Sequence, residues 1–97
     1  MTEEQLEGIW IVDPVEATRL AAVEYHYEKH GAKLGAADIA QYVRQAISFR
    51  EEAKKRNGAG KPVIGPTPGV RSWKKLGRFI HLAPNGEIVS FGAADQI

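Results

Sequence analysis

The histidines of this chain are the residues best suited to chemistry, and two of them lie four positions apart. On a helix, His26 and His30 would share one face, and Lys29 would lie at its edge. Two imidazoles at this spacing could bind zinc, but Tyr27 follows His26 where the metalloprotease motif has glutamate. The chain has no cysteine, and no third ligand group is evident in the sequence. The pattern therefore does not favour zinc catalysis.

Metal-free acid–base chemistry is the alternative use of these residues. The pKa of histidine lies near neutrality, so one imidazole can accept a proton from a hydroxyl while another group protonates a leaving oxygen. A neighbouring lysine would stabilise the charge that develops on the phosphate when RNA is cut. In a second interpretation, Lys29 and protonated His30 only interact with the dipole at a helix end. The spacing alone favours this second interpretation.

Two helices are predicted to position these residues. The first begins at Asp13-Pro14, because aspartate can cap a helix and proline suits its first position, and it ends at Gly31, which can adopt the left-handed conformation. The second helix runs from about Ala37 or Asp38 to about Arg56, where an Asn-Gly-Ala-Gly sequence would end it.

Short antiparallel strands are predicted beyond Lys61, where prolines and glycines exclude a long helix. The expected strands are 70–73, 78–83 and 87–91, joined by turns. In the middle strand, Ile80 and Leu82 would face one side, and Phe79 and His81 the other.

The sequence thus predicts one α+β domain over residues 1–97, with two N-terminal helices packed on a C-terminal antiparallel sheet of three or four strands. Its parts are an N-terminal segment, a helical part and the sheet, at 1–12, 13–56 and 61–92. Trp10 is expected in the core or on an N-terminal segment docked against it. No apolar run approaches the roughly 20 residues that span a bilayer, and the first residues are acidic, unlike those of a signal peptide.

Charge is distributed unevenly along the chain, although the net charge is only +1. Residues 1–30 contain seven acids and two bases, and residues 31–97 contain eleven bases and five acids. The segment 54–78 contains eight bases and no acid. If these side chains share a face, they form a patch that attracts phosphates; otherwise the segment is a solvated basic loop.

Two stretches of the chain resemble a family of bacterial toxins. The first reads His26-Tyr-Glu-Lys-His-Gly-Ala-Lys-Leu-Gly-Ala and continues with Ala-Gln-Tyr-Val-Arg-Gln-Ala-Ile-Ser-Phe. It is similar to the opening pattern H-x-x-K-H-G … G … Y-x-x-x-A-x-x-F of polymorphic toxin nucleases. The second, Arg78-Phe-Ile-His-Leu-Ala-Pro-Asn-Gly-Glu-Ile-Val-Ser-Phe-Gly, is similar to their closing arginine-led hairpin. These nucleases have a barnase, EndoU, colicin D and RelE-like fold and form the C-terminal tips of contact-dependent growth inhibition proteins. The resemblance covers about residues 22–92.

The resemblance implies a metal-independent endoribonuclease, most often one that cuts transfer RNA, with no cofactor. The ribose 2′-hydroxyl would attack the adjacent phosphate and leave a cyclic phosphate and a 5′-hydroxyl. His30 would be general base or acid, Lys29 a phosphate contact and His26 a second proton carrier. Arg78 would contact the phosphate or transition state, and Ser90 would donate a hydrogen bond near the scissile phosphate. We expect an imidazole near residue 30 and the cationic hairpin around residue 78 to meet across one cleft wide enough for a nucleotide backbone.

Substrate binding is expected from the basic and aromatic residues of the C-terminal half. Trp73 could stack on a base, although a tryptophan in a small domain is more often in the core. His81 stands where relatives often have an acid, so it is either an additional catalytic or RNA-contacting group or a substitution without consequence. The remaining predicted contacts are basic: Arg71, Lys74 and Lys75.

The resemblance also implies how such a domain is used. It would be secreted or displayed as the C-terminus of a longer protein and act in the cytoplasm of a target cell. An immunity protein would neutralise it, and charge complementarity suggests an acidic one. Whether a host translation factor takes part stays open. The alternative is a non-catalytic RNA- or protein-binding module that uses the basic segment 54–78, and a weaker one is a DNase, which usually needs a metal ion.

Overall fold

The structure, a computed structural model, describes residues 1–12, 14–55 and 60–96. Two helices come first, α1 (Arg19–His30) and α2 (Ile39–Lys54), and four strands follow. The strands are β1 (Lys61–Pro62), β2 (Arg71–Lys75), β3 (Arg78–Leu82) and β4 (Ile88–Ala93). In the described part of the chain they form one antiparallel sheet of order β1-β2-β3-β4, with helices packed against β3 and β4. The predicted α+β fold is confirmed.

The predicted start of α1 is wrong. The helix begins at Arg19, five residues after Pro14, because Ala17 has a φ of +66°, which an α-helix does not accommodate. Thr18 is extended and caps the helix, since its hydroxyl oxygen accepts a hydrogen bond from the backbone N–H of Ala21 at 3.0 Å. The predicted cap Asp13 lies outside the described residues.

The N-terminal segment fastens α1 to the sheet. The Glu3 carboxylate accepts hydrogen bonds from the backbone N–H groups of Arg19 and Leu20, at 2.8 and 3.0 Å. These bonds lower the pKa of Glu3. Trp10 is fully buried and forms a parallel bridge with Ile88, which confirms that this segment docks on the body of the domain.

Gly31 ends α1 as predicted, but for a different reason. Its φ of −60° is helical rather than left-handed. A Cβ at this position would lie 2.7 Å from the carbonyl oxygen of Tyr27 and 2.6 Å from the Tyr27 ring. Close packing, rather than backbone freedom, therefore requires glycine here.

The second helix begins as predicted. The Asp38 carboxylate accepts a hydrogen bond from the N–H of Gln41 at 2.8 Å and so caps α2. The helix ends at Lys54, and the predicted terminating residues 56–59 lie outside the described part of the chain.

The strands differ slightly from those predicted. β2 continues through Lys75, so the turn before β3 contains only Leu76 and Gly77, both with positive φ. β4 runs to Ala93 rather than to residue 91, and the short β1 was not predicted. No helix in the described ranges is both long enough and apolar enough to cross a membrane.

The main core lies between α2 and one face of the sheet. Ile80 and Leu82 belong to this core, as does Phe91 on β4. The hydroxyl of Tyr42 on α2 donates a hydrogen bond to the carbonyl oxygen of Phe91 at 2.5 Å, and the Phe49 ring packs 5.6 Å from the Phe91 ring. The opposite face of β3 and β4 is left for other side chains.

Candidate active site

Two residues of β3 and two of β4 lie on the face of the sheet away from the main core. His81 pairs with Ser90, and Phe79 pairs with Gly92. Because side chains alternate along a strand, these four positions share one face of the sheet, as Phe79 and His81 were predicted to do. The rings of Phe79 and His81 lie 4.9 Å apart.

Helix α1 adds the other two histidines to this face. The Oγ of Ser90 lies 3.4 Å from the Nδ1 of His26, a long hydrogen bond. The rings of His26 and His30 stack at 6.0 Å with an angle of 9°. The edge of one ring in the His30–Phe79 pair meets the face of the other at 5.6 Å. We call His26, His30, His81 and Ser90 the histidine cluster.

Exposure increases across the histidine cluster from His30 outward. His30 is 2% exposed and Ser90 8%, whereas His26 and His81 are partly exposed. His30 packs directly over Gly92, because a Cβ at that position would lie 2.7 Å from its Nδ1. His26 and His81 are therefore the imidazoles that a ligand can reach.

The environment of His81 favours its neutral form. Burial lowers the pKa of His81 below its ordinary value, and the positive charges of Lys74 and of protonated His30 lower it further. Near neutral pH, the His81 imidazole is therefore available to accept a proton.

His81 also lines a groove over β1 and β2 with a volume of about 530 Å³. Lys61 and Lys74 lie on its walls with Ser72, and no carboxylate belongs to its described lining. Trp73 borders the groove and packs against the core, as its interpretation as a core residue expects, and its stacking on a base stays a prediction. We call this surface the lysine groove; its charge suits an anionic chain.

Arg78 does not meet the histidines, whereas Lys74, on the same hairpin, lines the lysine groove together with His81. The expected meeting of the imidazoles with this hairpin is therefore wrong for Arg78 itself. Phe79 faces His30, and its neighbour Arg78 must therefore point to the other side of the sheet. There the Arg78 guanidinium lies 5.6 Å above the ring of Phe49 on α2.

The other predicted basic residues are divided between different surfaces. Lys75 lies on the Arg78 side, where its ammonium group is 2.7 Å from the carboxylate of Glu52. Arg71 is exposed and donates a hydrogen bond to the carbonyl oxygen of Gly60. Lys29 is exposed, with its ammonium group 5.8 Å from the centre of the Tyr25 ring. The described bases of segment 54–78 thus do not form one basic face.

Sequence reasoning missed three residues that shape the site. Phe79 separates His30 from His81, Gly92 allows His30 to approach the sheet, and Lys61 adds charge to the groove. A glycine within a strand often marks the close approach of another group, so Gly92 could have indicated that a side chain packs against this strand.

The arrangement of the cluster is suited to proton transfer. Within residues 1–12, 14–55 and 60–96, no three side chains of His, Asp or Glu converge as a set that could hold a metal ion. Two reachable imidazoles, both next to Ser90, can instead exchange protons with one bound molecule.

Comparison with known proteins found no match: no family model, no curated protein and no solved structure corresponds to this chain. The resemblance to toxin nucleases is therefore carried by the quoted residues alone.

Proposed function

We propose that this domain is a metal-independent endoribonuclease. The observation that carries the proposal is that Ser90 contacts His26 and pairs across the strands with His81, which itself lines the lysine groove. Two imidazoles in one site can act as base and acid, and lysines attract the phosphodiester chain. The resemblance to toxin nucleases points to the same activity.

In this proposal, neutral His81 acts as the base. It accepts the proton of a ribose 2′-hydroxyl, and the resulting oxygen attacks the adjacent phosphorus. The bond from phosphorus to the 5′-oxygen breaks as protonated His26 donates its proton to that oxygen. The products are a 2′,3′-cyclic phosphate and a 5′-hydroxyl, and Lys74 stabilises the negative charge on the phosphate in the transition state.

His30 and Ser90 are positioning residues in this scheme. His30 is too buried to reach an RNA chain, but its ring stacks on His26 and fixes the position of that ring. The Ser90 hydroxyl, between the two exposed imidazoles, orients Nδ1 of His26. This differs from the role of proton carrier that the resemblance implies for His30.

The biological role that we propose is that of a toxin delivered as part of a longer protein, with transfer RNA as substrate in the target-cell cytoplasm. A cognate immunity protein would neutralise it. The positive charge and the carboxylate-free lining of the lysine groove suit an acidic protein as that inhibitor.

The burial of His30 favours a second candidate, a binding module that holds RNA in the lysine groove without cutting it. Both candidates predict RNA binding that weakens as salt increases. They differ in the fate of the RNA.

The test is incubation of the purified protein with transfer RNA in EDTA, followed by analysis of the RNA ends. The nuclease proposal predicts fragments with cyclic phosphates and 5′-hydroxyls, and no such fragments with His26→Gln. RNA that is bound but recovered intact would identify the binding module instead. Fragments with 5′-phosphates, or cutting that requires a metal ion, would contradict the mechanism.

A further inference from the structure

A second cavity lies on the Arg78 side of the sheet, between α2 and the β2–β3 turn. Its volume is about 390 Å³, within the range of small-molecule sites. Its charged lining consists of three cations and one carboxylate: Arg44, Lys75, Arg78 and Glu52. None of the histidines lines it, so it is separate from the histidine cluster.

The carboxylate of this cavity is already engaged. Glu52 lies 2.7 Å from the ammonium group of Lys75. No hydrogen bond or ion pair joins Arg44 or Arg78 to another residue in the part of the chain that the structure describes. Two guanidinium groups thus line one cavity without a carboxylate partner, an arrangement that an anionic ligand would stabilise.

The position of Arg78 is fixed by the protein rather than by solvent. Its guanidinium lies above the Phe49 ring, and that ring is itself buried in the packing between α2 and β4. A guanidinium held against a buried ring loses less side-chain entropy when it binds a ligand than a fully solvated one does.

Neutral hydrogen-bonding groups complete the wall of the cavity on α2. Gln41 and Ser48 lie one turn before and one turn after Arg44, on the same side of the helix. The carbonyl oxygen of the Gln41 side chain accepts a hydrogen bond from the N–H of Ala37 at 2.6 Å, which leaves its amide N–H groups as donors. Gln41 therefore presents donors, which phosphate oxygens accept, whereas Gln45, also on the wall, donates its own amide N–H to the carbonyl oxygen of Leu34.

We propose that this cavity, which we call the arginine pocket, is a second phosphate-binding site that takes the phosphate group of a nucleotide. The guanidinium groups of Arg44 and Arg78 bind the phosphate oxygens, and the remaining volume holds the nucleoside. The ligand is a free nucleotide or one unit of an RNA chain, since both present the same chemistry. This site does not depend on whether the histidine cluster cuts RNA.

The test is an NMR titration of the full chain that observes the arginine side-chain N–H signals. Three probes are added in separate experiments: inorganic phosphate, uridine 5′-monophosphate, and a short single-stranded oligonucleotide with 2′-deoxyriboses, which the proposed mechanism cannot cut. We expect the Arg44 and Arg78 signals to move to saturation with the nucleotide. A free nucleotide that binds tenfold more tightly than the oligonucleotide identifies the first source, and the reverse order identifies the second.

The affinities of three variants distinguish specific binding in the arginine pocket from general attraction of anions to the protein. Arg44→Gln, at an exposed helix position, should weaken binding about tenfold or more, as the loss of a hydrogen bond to a charged group does. The double variant with Arg78→Gln should weaken it further. Lys33→Gln, which removes one charge from an exposed residue paired with Asp95, should change the affinity less than twofold. An absence of saturable shifts with all three probes would overturn the proposal. It would also be overturned if uridine 5′-monophosphate shifted the backbone N–H signal of Leu76, on the pocket wall, with unchanged affinity in the double variant.

Discussion

The two faces of the sheet differ in the kind of charge that they carry. The histidine cluster contains three imidazoles, a kind of group that can be either neutral or protonated, and its inner member, His30, is almost completely buried. The arginine pocket has guanidinium groups that stay charged at every physiological pH, and Arg44 is exposed to solvent.

This difference assigns different tasks to the two faces. Proton transfer requires a group that can be protonated or neutral. The imidazoles of the histidine cluster can exist in both forms, whereas an arginine side chain stays protonated. Arginine binds anions strongly but leaves the proton balance unchanged. We therefore place the chemical step on the histidine face and only binding on the arginine face.

The largest effect is expected from His81→Gln, which removes the proposed base. General acid–base catalysis typically contributes about 10²–10⁴-fold, so the single-turnover rate of RNA cleavage should fall at least 100-fold. The side chain is only partly buried, and the far-ultraviolet circular dichroism spectrum should stay unchanged. Cleavage within threefold of wild type would remove His81 from the mechanism and break the division between the faces.

A smaller effect is expected where His30 packs against the sheet. Gly92→Ala would place a methyl group 2.7 Å from the His30 ring and 2.9 Å from the Phe79 ring. Such overpacking typically costs about 1–3 kcal/mol, so the free energy of unfolding in urea should fall by that amount, and RNA cleavage should fall with it.

The matched control for this variant is Gly65→Ala. A Cβ at residue 65 has no atom within 4 Å, and its φ does not lie in the left-handed region. Its free energy of unfolding should stay within about 0.5 kcal/mol of wild type. Equal stabilities of the two variants would show that His30 is not held as tightly as the structure indicates.

The smallest effect is a shift in the titration of His81, which is measured apart from the loss of maximal rate expected when the proposed transition-state contact Lys74 is removed. The positive charge of Lys74 lowers the pKa of His81, so Lys74→Gln should raise that pKa. Because the neutral form is the base in the proposed mechanism, the acidic limb of the rate profile should move to higher pH by the same amount. NMR titration of the imidazole signal measures the first shift and single-turnover kinetics the second; an unchanged pKa would show that Lys74 does not influence the base.

The helices illustrate how far the sequence predicts the fold. Asp38 caps α2 by accepting the N–H of Gln41, three positions away, and the start of this helix, predicted at about Ala37 or Asp38, lies within two residues of the observed one. The start of α1 depends instead on Ala17 in an unusual conformation and on Glu3, which is 16 residues from Arg19 along the chain. Such a long-range cap leaves no local signal, whereas the local sequence Asp13-Pro14 predicted a start earlier than Arg19, where α1 begins.

The candidate site was predictable to a similar degree. Alternation along β3 correctly predicted that His81 and Ile80 lie on different faces of the sheet. The same alternation puts Arg78 on the face away from His81. The sequence did not indicate which face α1 would contact, so the separation of Arg78 from the helix histidines was missed. The pairing of His81 with Ser90 comes directly before a register shift between His81 and Leu82, which no local pattern specifies.

The central claim, that RNA meets the histidine face with its reacting atoms, is tested most directly by imidazole NMR signals. The protein is titrated with the short oligonucleotide that contains 2′-deoxyriboses, which binds without being cut. We predict saturable shifts in the ring signals of His26 and His81, with their midpoint at the same oligonucleotide concentration. Saturated binding that leaves both rings unshifted would contradict the claim.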